Sequence, residues 1–127
     1  PAVRVAETLD GLVEGYGRKL EPEIDKRIYL ASSVTLIEVL RDRGGAAEHV
    51  MMCGHNPGME DLVLDLVPDN GAGGPREDVE EKFPTASVAE IALDIDDWAD
   101  LDNRKGRLER FTRPRDLAPD LGPQYLR

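Results

Sequence analysis

The sequence predicts an α/β fold, and three observations carry that prediction. A short, continuously apolar run, Val50-Met51-Met52-Cys53, leads straight into Gly54-His55-Asn56-Pro57-Gly58 and then into an amphipathic stretch. Apolar residues recur at helical spacing in the first 43 residues. From Ser87 to Ile95 they alternate instead. Period 3.6 buries one stripe of a helix, and period 2 buries one face of a strand.

Each element follows from its local pattern. In Ala2–Tyr16 the residues Val5, Leu9, Leu12, Val13 and Tyr16 form a helical stripe. Pro1 suits a first turn, and Gly15 and Gly17 suit an end. Arg18–Arg27 is polar, contains Pro22, and reads as a loop; Ile28–Ala31 is a short apolar bridge. Ser32 or Ser33 caps the next helix, Val34–Arg43, because a serine oxygen accepts an orphan amide proton. That helix carries Leu36, Ile37 and Leu40 on one face and stops at Gly44-Gly45.

Val50–Cys53, apolar on both faces, is predicted as a buried parallel strand. After it, Asn56 is a suitable cap and Pro57 a suitable first residue for a helix over Met59–Val67. Met59, Leu62, Val63 and Leu66 give that helix its apolar face, and Glu60 and Asp61 suit the positive end of its dipole. Asp69–Lys82, with Gly71, Gly73, Gly74 and Pro75, is predicted as a mobile surface loop. Ser87–Ile95 is a half-buried strand with Ala89, Ile91, Leu93 and Ile95 inward. Asp96–Gly106 is a polar loop carrying Trp98 and Leu101, Arg107–Thr112 is the candidate partner strand, and Asp116–Arg127 is a Pro-rich tail.

The 127 residues amount to one domain, with 40% hydrophobic residues, enough to exclude wholesale disorder. The net charge is −10, which repels phosphate backbones and argues against nucleic acid as a partner. No apolar run nears the ~18 residues of a membrane helix. A single Cys suits a reducing, cytoplasmic setting, and one Cys with two His leaves few ligands for zinc.

His55 is the residue with most chemical potential. It lies beyond the end of a predicted strand and just before a capped helix, where ligands of open sheets and anions gather. Gly54 and Gly58 would let a ligand approach the backbone. The alternative is a His that orders the turn by local hydrogen bonds. Cys53 reads as a buried strand cysteine rather than half of a thiolate–imidazole pair. His49 reads as solvated, and Glu77–Glu81 as a solvated face, not a metal site. Arg4 opposes the helix dipole in a first turn, a placement that fits either function or simple exposure.

Five segments, in order, resemble a known group. Pro1-Ala2-Val3-Arg4 with Glu7-Thr8 resembles the Ser-Pro-x-x-Arg-x-x-[Glu/Gln]-Thr helix start of the histidine phosphatase (phosphoglycerate mutase-like) superfamily. Gly54-His55-Asn56-Pro57-Gly58 resembles its SixA-type phosphohistidine phosphatase branch, as do Lys82-Phe83-Pro84-Thr85, Trp98-Ala99-Asp100-Leu101 and Arg113-Pro114-Arg115-Asp116-Leu117. The resemblance implies a three-layer α/β/α sandwich and a two-step phosphohydrolase that works without metal or other cofactor. In that group a His in an Arg-His motif attacks phosphorus and is itself phosphorylated. Arg4 matches the second phosphate-binding Arg, His55 the second active-site His, and Asn56 would offer its backbone amide to the phosphoryl oxygens. The implied partner is a phosphorylated carrier or phosphotransfer protein, or a small phosphorylated substrate.

No Arg-His pair occurs in the 127 residues: His49 follows Glu48 and His55 follows Gly54. The expectation is therefore an N-terminally incomplete domain whose nucleophile and central strand lie ahead of Pro1, the isolated chain being inactive and short of a strand unless another segment or copy supplies one. The rival expectations are a non-catalytic module that binds phosphate or a phosphoprotein through Arg4 and His55, and an acidic interaction domain without a site.

Overall fold

A computed structural model describes residues 3–69, 71 and 74–121. Pro1, Ala2, Asn70, Ala72, Gly73 and the last six residues of the expected tail lie outside the described residues. The fold is mixed α/β: helices α1 (Val3–Tyr16), α2 (Ser33–Arg43), α3 (Gly58–Leu66), α4 (Pro75–Glu81) and α5 (Pro114–Leu117), and strands β1 (Val88–Leu93) and β2 (Gly106–Thr112). The chain packs as two compact units, one from residues 1–62 and 95–102, the other from 63–94 and 103–127.

The first unit is organised by α2. Its face is broader than the expected stripe, because Val39 is buried along with Leu36, Ile37 and Leu40. Ser32, of the two candidate serines, caps it: its side chain accepts the Thr35 N–H at 3.4 Å. Gly44 ends it, donating its N–H to the Leu40 carbonyl at 2.9 Å. The segment around Trp98 is tied to that end, with the Trp98 N–H donating to the Gly45 carbonyl at 3.2 Å and the indole N–H to the Ala47 carbonyl at 2.8 Å. Arg41 Nε donates to the Leu101 carbonyl at 2.7 Å, and Leu101 is buried. The expected polar loop thus holds a core residue and a one-turn 3-10 helix, Trp98–Asp100.

Asp25 is the buried charge of this unit, with 8% of its surface exposed. Its carboxylate accepts from Arg27 Nη2 at 2.7 Å and from Arg43 Nε at 3.2 Å. It also accepts the Arg27 backbone N–H at 3.0 Å, while Arg27 Nη1 reaches Asp42 at 2.6 Å. The Arg27 side-chain bonds, then its amide, hold the Asp25 carboxyl far below the ordinary aspartate range. A carboxyl whose pKa is depressed by folding stabilises the fold fully above the unfolded value of about 4, and that contribution is withdrawn as pH falls toward the folded value. Asp25→Asn should therefore lower stability at neutral pH and make its decline between about pH 4 and pH 2 shallower than in the parent. Urea titrations across that range check it; parallel declines in the two proteins would refute the role.

The second unit is built on the β1–β2 pair, which is antiparallel, with Val88 opposite Thr112 and Leu93 opposite Gly106. The pairing of the expected strand with Arg107–Thr112 is observed, but β1 runs only from Val88 to Leu93 and the alternation breaks at Ala92, which is half-buried like Ile91 and Leu93. The register shifts between Glu90 and Ile91, so β2 carries an extra residue there, as at a bulge. Phe111 of β2 stacks on Phe83 at 5.3 Å, and the Arg113 guanidinium lies 5.7 Å from the Phe111 ring centre.

Two sequence expectations are corrected. Asp69–Lys82 is not a loop throughout: Pro75–Glu81 is helical, and Val79 is 0% exposed. Arg76 draws the helix in, donating from Nε to the Val67 carbonyl at 2.7 Å and from Nη2 to the Leu64 carbonyl at 3.4 Å. Those are orphan carbonyls at the end of α3, which a cation there satisfies. Nor is Val50–Cys53 a buried strand. It is irregular, Val50 and Met51 are 39% and 59% exposed, and Met52 and Cys53 are only half-buried. An apolar run becomes a strand only when neighbouring strands take up its backbone groups, and among the described residues none does so here.

Candidate functional site

The Gly54–Gly58 segment is held by its two glycines. A Cβ on Gly58 would stand 2.3 Å from the Ala31 carbonyl oxygen. One on Gly54 would stand 3.0 Å from Met59 Sδ and 3.2 Å from Ile28 Cγ2. These glycines therefore let the segment lie against the protein's own Ile28–Ala31 stretch. That is a different use of small residues from the close ligand approach expected of them.

The helix after it begins one residue later than expected, at Gly58 rather than Pro57. Asn56 still serves the first turn, but its Oδ1 accepts the Glu60 N–H at 3.2 Å. The Met59 N–H goes to the His55 carbonyl at 3.1 Å and the Asp61 N–H to the Pro57 carbonyl at 2.9 Å. Two of the orphan amides that an anion would use, those of Met59 and Glu60, are thus already taken. The Gly58 N–H has no acceptor among the described residues.

His55 is half-buried. Its imidazole makes no hydrogen bond or ion pair with any described residue. The local alternative, an imidazole that orders the turn by hydrogen bonding, has no such bond behind it: it is the His55 carbonyl, not the ring, that contributes. An imidazole without a protein partner, three residues ahead of a helix start, can donate a hydrogen bond to an oxyanion. Glu60 and Asp61 in the same first turn offset part of the helix's positive end, so an anion at this place needs a further cation.

Arg4 is the cation that the sequence offers. It stands exposed in the first turn of α1, and its guanidinium is uncommitted among the described residues. Its carbonyl accepts from Thr8 Oγ1 at 2.9 Å. Arg4 and His55 belong to the same unit, and no hydrogen bond or ion pair joins them.

Half-burial pushes the Cys53 thiol above its ordinary pKa, the opposite of what a thiolate nucleophile needs. His49 is exposed. Glu77, Glu80 and Glu81 are exposed on α4 while Val79 faces inward. No group of three or more metal-binding side chains converges among the described residues, and none of the described helices is long and apolar enough to cross a membrane. Sequence reasoning missed the Gly58 amide and the ionic cluster around Asp25, because both depend on which chain neighbours close a turn. No family model, curated protein or solved structure matches the chain.

Proposed function

We propose that these residues form the phosphate-binding part of a metal-independent phosphohistidine phosphatase of the histidine phosphatase superfamily, a three-layer α/β/α sandwich in the complete domain. The observation that carries the proposal is the half-buried His55, whose imidazole has no protein partner among the described residues, three residues ahead of a Gly58 N–H that has no acceptor among them at the start of α3. The ordered segment similarity stands behind it. In this reading His55 and the Gly58 and Asn56 backbone amides hold the transferring phosphoryl oxygens, and Arg4 adds charge. Positioning and charge stabilisation of that kind make up most of the catalysis in phosphoryl transfer. The substrate is a phosphorylated carrier or phosphotransfer protein in the cytoplasm. A histidine elsewhere would attack phosphorus as the bond to the substrate's imidazole breaks and that imidazole leaves, and water would then cleave the new phosphohistidine to return the free histidine and inorganic phosphate.

Because the 127 residues contain no Arg-His pair, the purified chain should not hydrolyse para-nitrophenyl phosphate or a phosphohistidine peptide. Robust turnover by the chain, unaffected by chelators, would overturn the assignment of roles. The same absence favours one second reading, a non-catalytic phosphate- or phosphoprotein-binding module. Vanadate titration followed at the His55 ring protons and the Gly58 amide supports either reading if both shift together. Shifts elsewhere alone would remove the site from both.

A further inference from the structure

The Gly54–Gly58 segment lies on Ile28–Ala31 and, at Gly58, on α2 as well, where a Cβ would stand 3.3 Å from Leu36 Cδ1. What holds the Ile28–Ala31 ledge is therefore part of what holds His55. Residues 25–32 run back along α2, from its last turn, where Arg43 Nε donates to Asp25 Oδ2 at 3.2 Å, to its cap at Ser32. Between the two ends stand a one-turn 3-10 helix, Lys26–Ile28, and then Tyr29 and Leu30. Little in the stretch itself keeps it in place. A single 3-10 turn is weak. Tyr29 and Leu30 are 53% and 74% exposed, so they bury little. Leu30 stands at φ +52°, left-handed backbone that a residue with a Cβ disfavours.

The polar cluster at the start of the stretch supplies the hold. Asp25 accepts the Arg27 N–H at 3.0 Å, which caps the 3-10 turn. The Arg27 guanidinium closes on the same carboxylate from Nη2 at 2.7 Å and reaches Asp42 of α2 from Nη1 at 2.6 Å. One buried carboxylate thus joins the turn to the end of α2, and every residue in this chain of contacts, from Asp42 to Gly58, belongs to the first unit. We propose that Asp25 is a positioning residue for the candidate site: with Arg27 it fixes the Ile28–Ala31 ledge, the ledge seats Gly54–Gly58, and that seating sets where the His55 imidazole and the Gly58 N–H stand. The inference rests on the phosphate reading of that site. A displacement of about 1 Å can cost about 10²-fold at a reacting group, so a loosened ledge is felt at the phosphate although Asp25 does not touch it.

The test uses the whole chain. Vanadate is titrated against the His55 ring protons and the Gly58 amide. Ligand-free amide exchange is followed at Met59 and Glu60, whose N–H groups donate to the His55 carbonyl and to Asn56 Oδ1. Asp25→Ala should weaken vanadate binding about tenfold or more and speed exchange at both amides by about the same factor. The Arg27 and Arg43 side chains are 39% and 52% exposed and can turn to solvent, so no charge is left buried. Asp25→Asn keeps an acceptor for the Arg27 N–H and should recover part of both effects. Should Asp25→Ala fail to fold, judged by Trp98 emission, Asp25→Asn decides alone. A control separates position from stability: Gly45→Ala is strained at φ +57° yet meets nothing within 4 Å, and it should keep parental vanadate affinity. Parental affinity and exchange in the folded Asp25 variants overturn the inference. So does an equal loss in Gly45→Ala, since the effect would then follow stability alone. Vanadate that moves neither His55 nor Gly58 in the parent refutes the phosphate reading instead, and exchange at Met59 and Glu60 still decides whether Asp25 holds the segment.

Discussion

In a chain carrying an Arg-His motif ahead of these 127 residues, His55→Ala should lower phosphohistidine turnover by about 10²–10³-fold, the usual cost of removing one donor from a developing oxyanion. The imidazole is half-buried and makes no bond with a described residue, so its loss orphans no protein group and the fold should survive. Arg4→Ala should also slow turnover and weaken vanadate binding, through loss of a charge-assisted bond. Arg4 is exposed, so its removal too leaves the core alone. A split between the two is informative. If His55→Ala lowers kcat while Arg4→Ala only raises KM, Arg4 supplies uniform binding rather than a transition-state contact. Near-parental rates in both folded variants would show that the oxyanion is held elsewhere.

How much of this could be read from residue order depends on how local each cause is. The α1 helix, the Ser32 cap, the Gly44 stop and the β1 strand are written within a few residues, and all four appear in the structure, though Tyr16 of the expected α1 stripe is exposed. Val50–Cys53 failed because a strand is a relation between segments. Its apolar pattern states what it would bury, not whether a neighbour accepts its hydrogen bonds. The 69–82 stretch failed for the opposite reason. Glycine and charge suggested a loop, but Arg76 reaches back to the Val67 carbonyl and Val79 is buried, a tertiary gain that overrides weak local preference. At the candidate site, His55 and its helix start were legible. The use of Gly58 against Ala31 was not, since the contact spans residues far apart in the chain.

The same distinction between local and tertiary causes sets the largest stability effect expected here. Gly44→Ala and Gly45→Ala add one methyl each at adjacent positions, and they should differ sharply. At Gly44 a Cβ would lie 2.2 Å from Trp98 Cγ and 2.5 Å from Trp98 Cβ. The ring cannot simply swing away, because its indole N–H is bonded to the Ala47 carbonyl at 2.8 Å and the Trp98 backbone N–H to the Gly45 carbonyl at 3.2 Å. Relief requires α2 and the Trp98 segment to part, which would pull at the Arg41–Leu101 bond and uncover buried Leu101. Overpacking of this kind costs about 1–3 kcal/mol and occasionally more, a large share of a domain's ~5–15 kcal/mol. At Gly45 a Cβ meets nothing within 4 Å, but φ is +57°, so alanine there pays only for the left-handed backbone, about 1–2 kcal/mol. Trp98 is the single tryptophan of the chain and sits at the collision itself, so its fluorescence during urea unfolding reports the affected unit directly. Gly44→Ala should lower the midpoint further than Gly45→Ala and shift the emission of the folded state, while Gly45→Ala leaves that emission unchanged. Equal midpoints with unaltered emission would mean that Trp98 does not pack on Gly44 in solution.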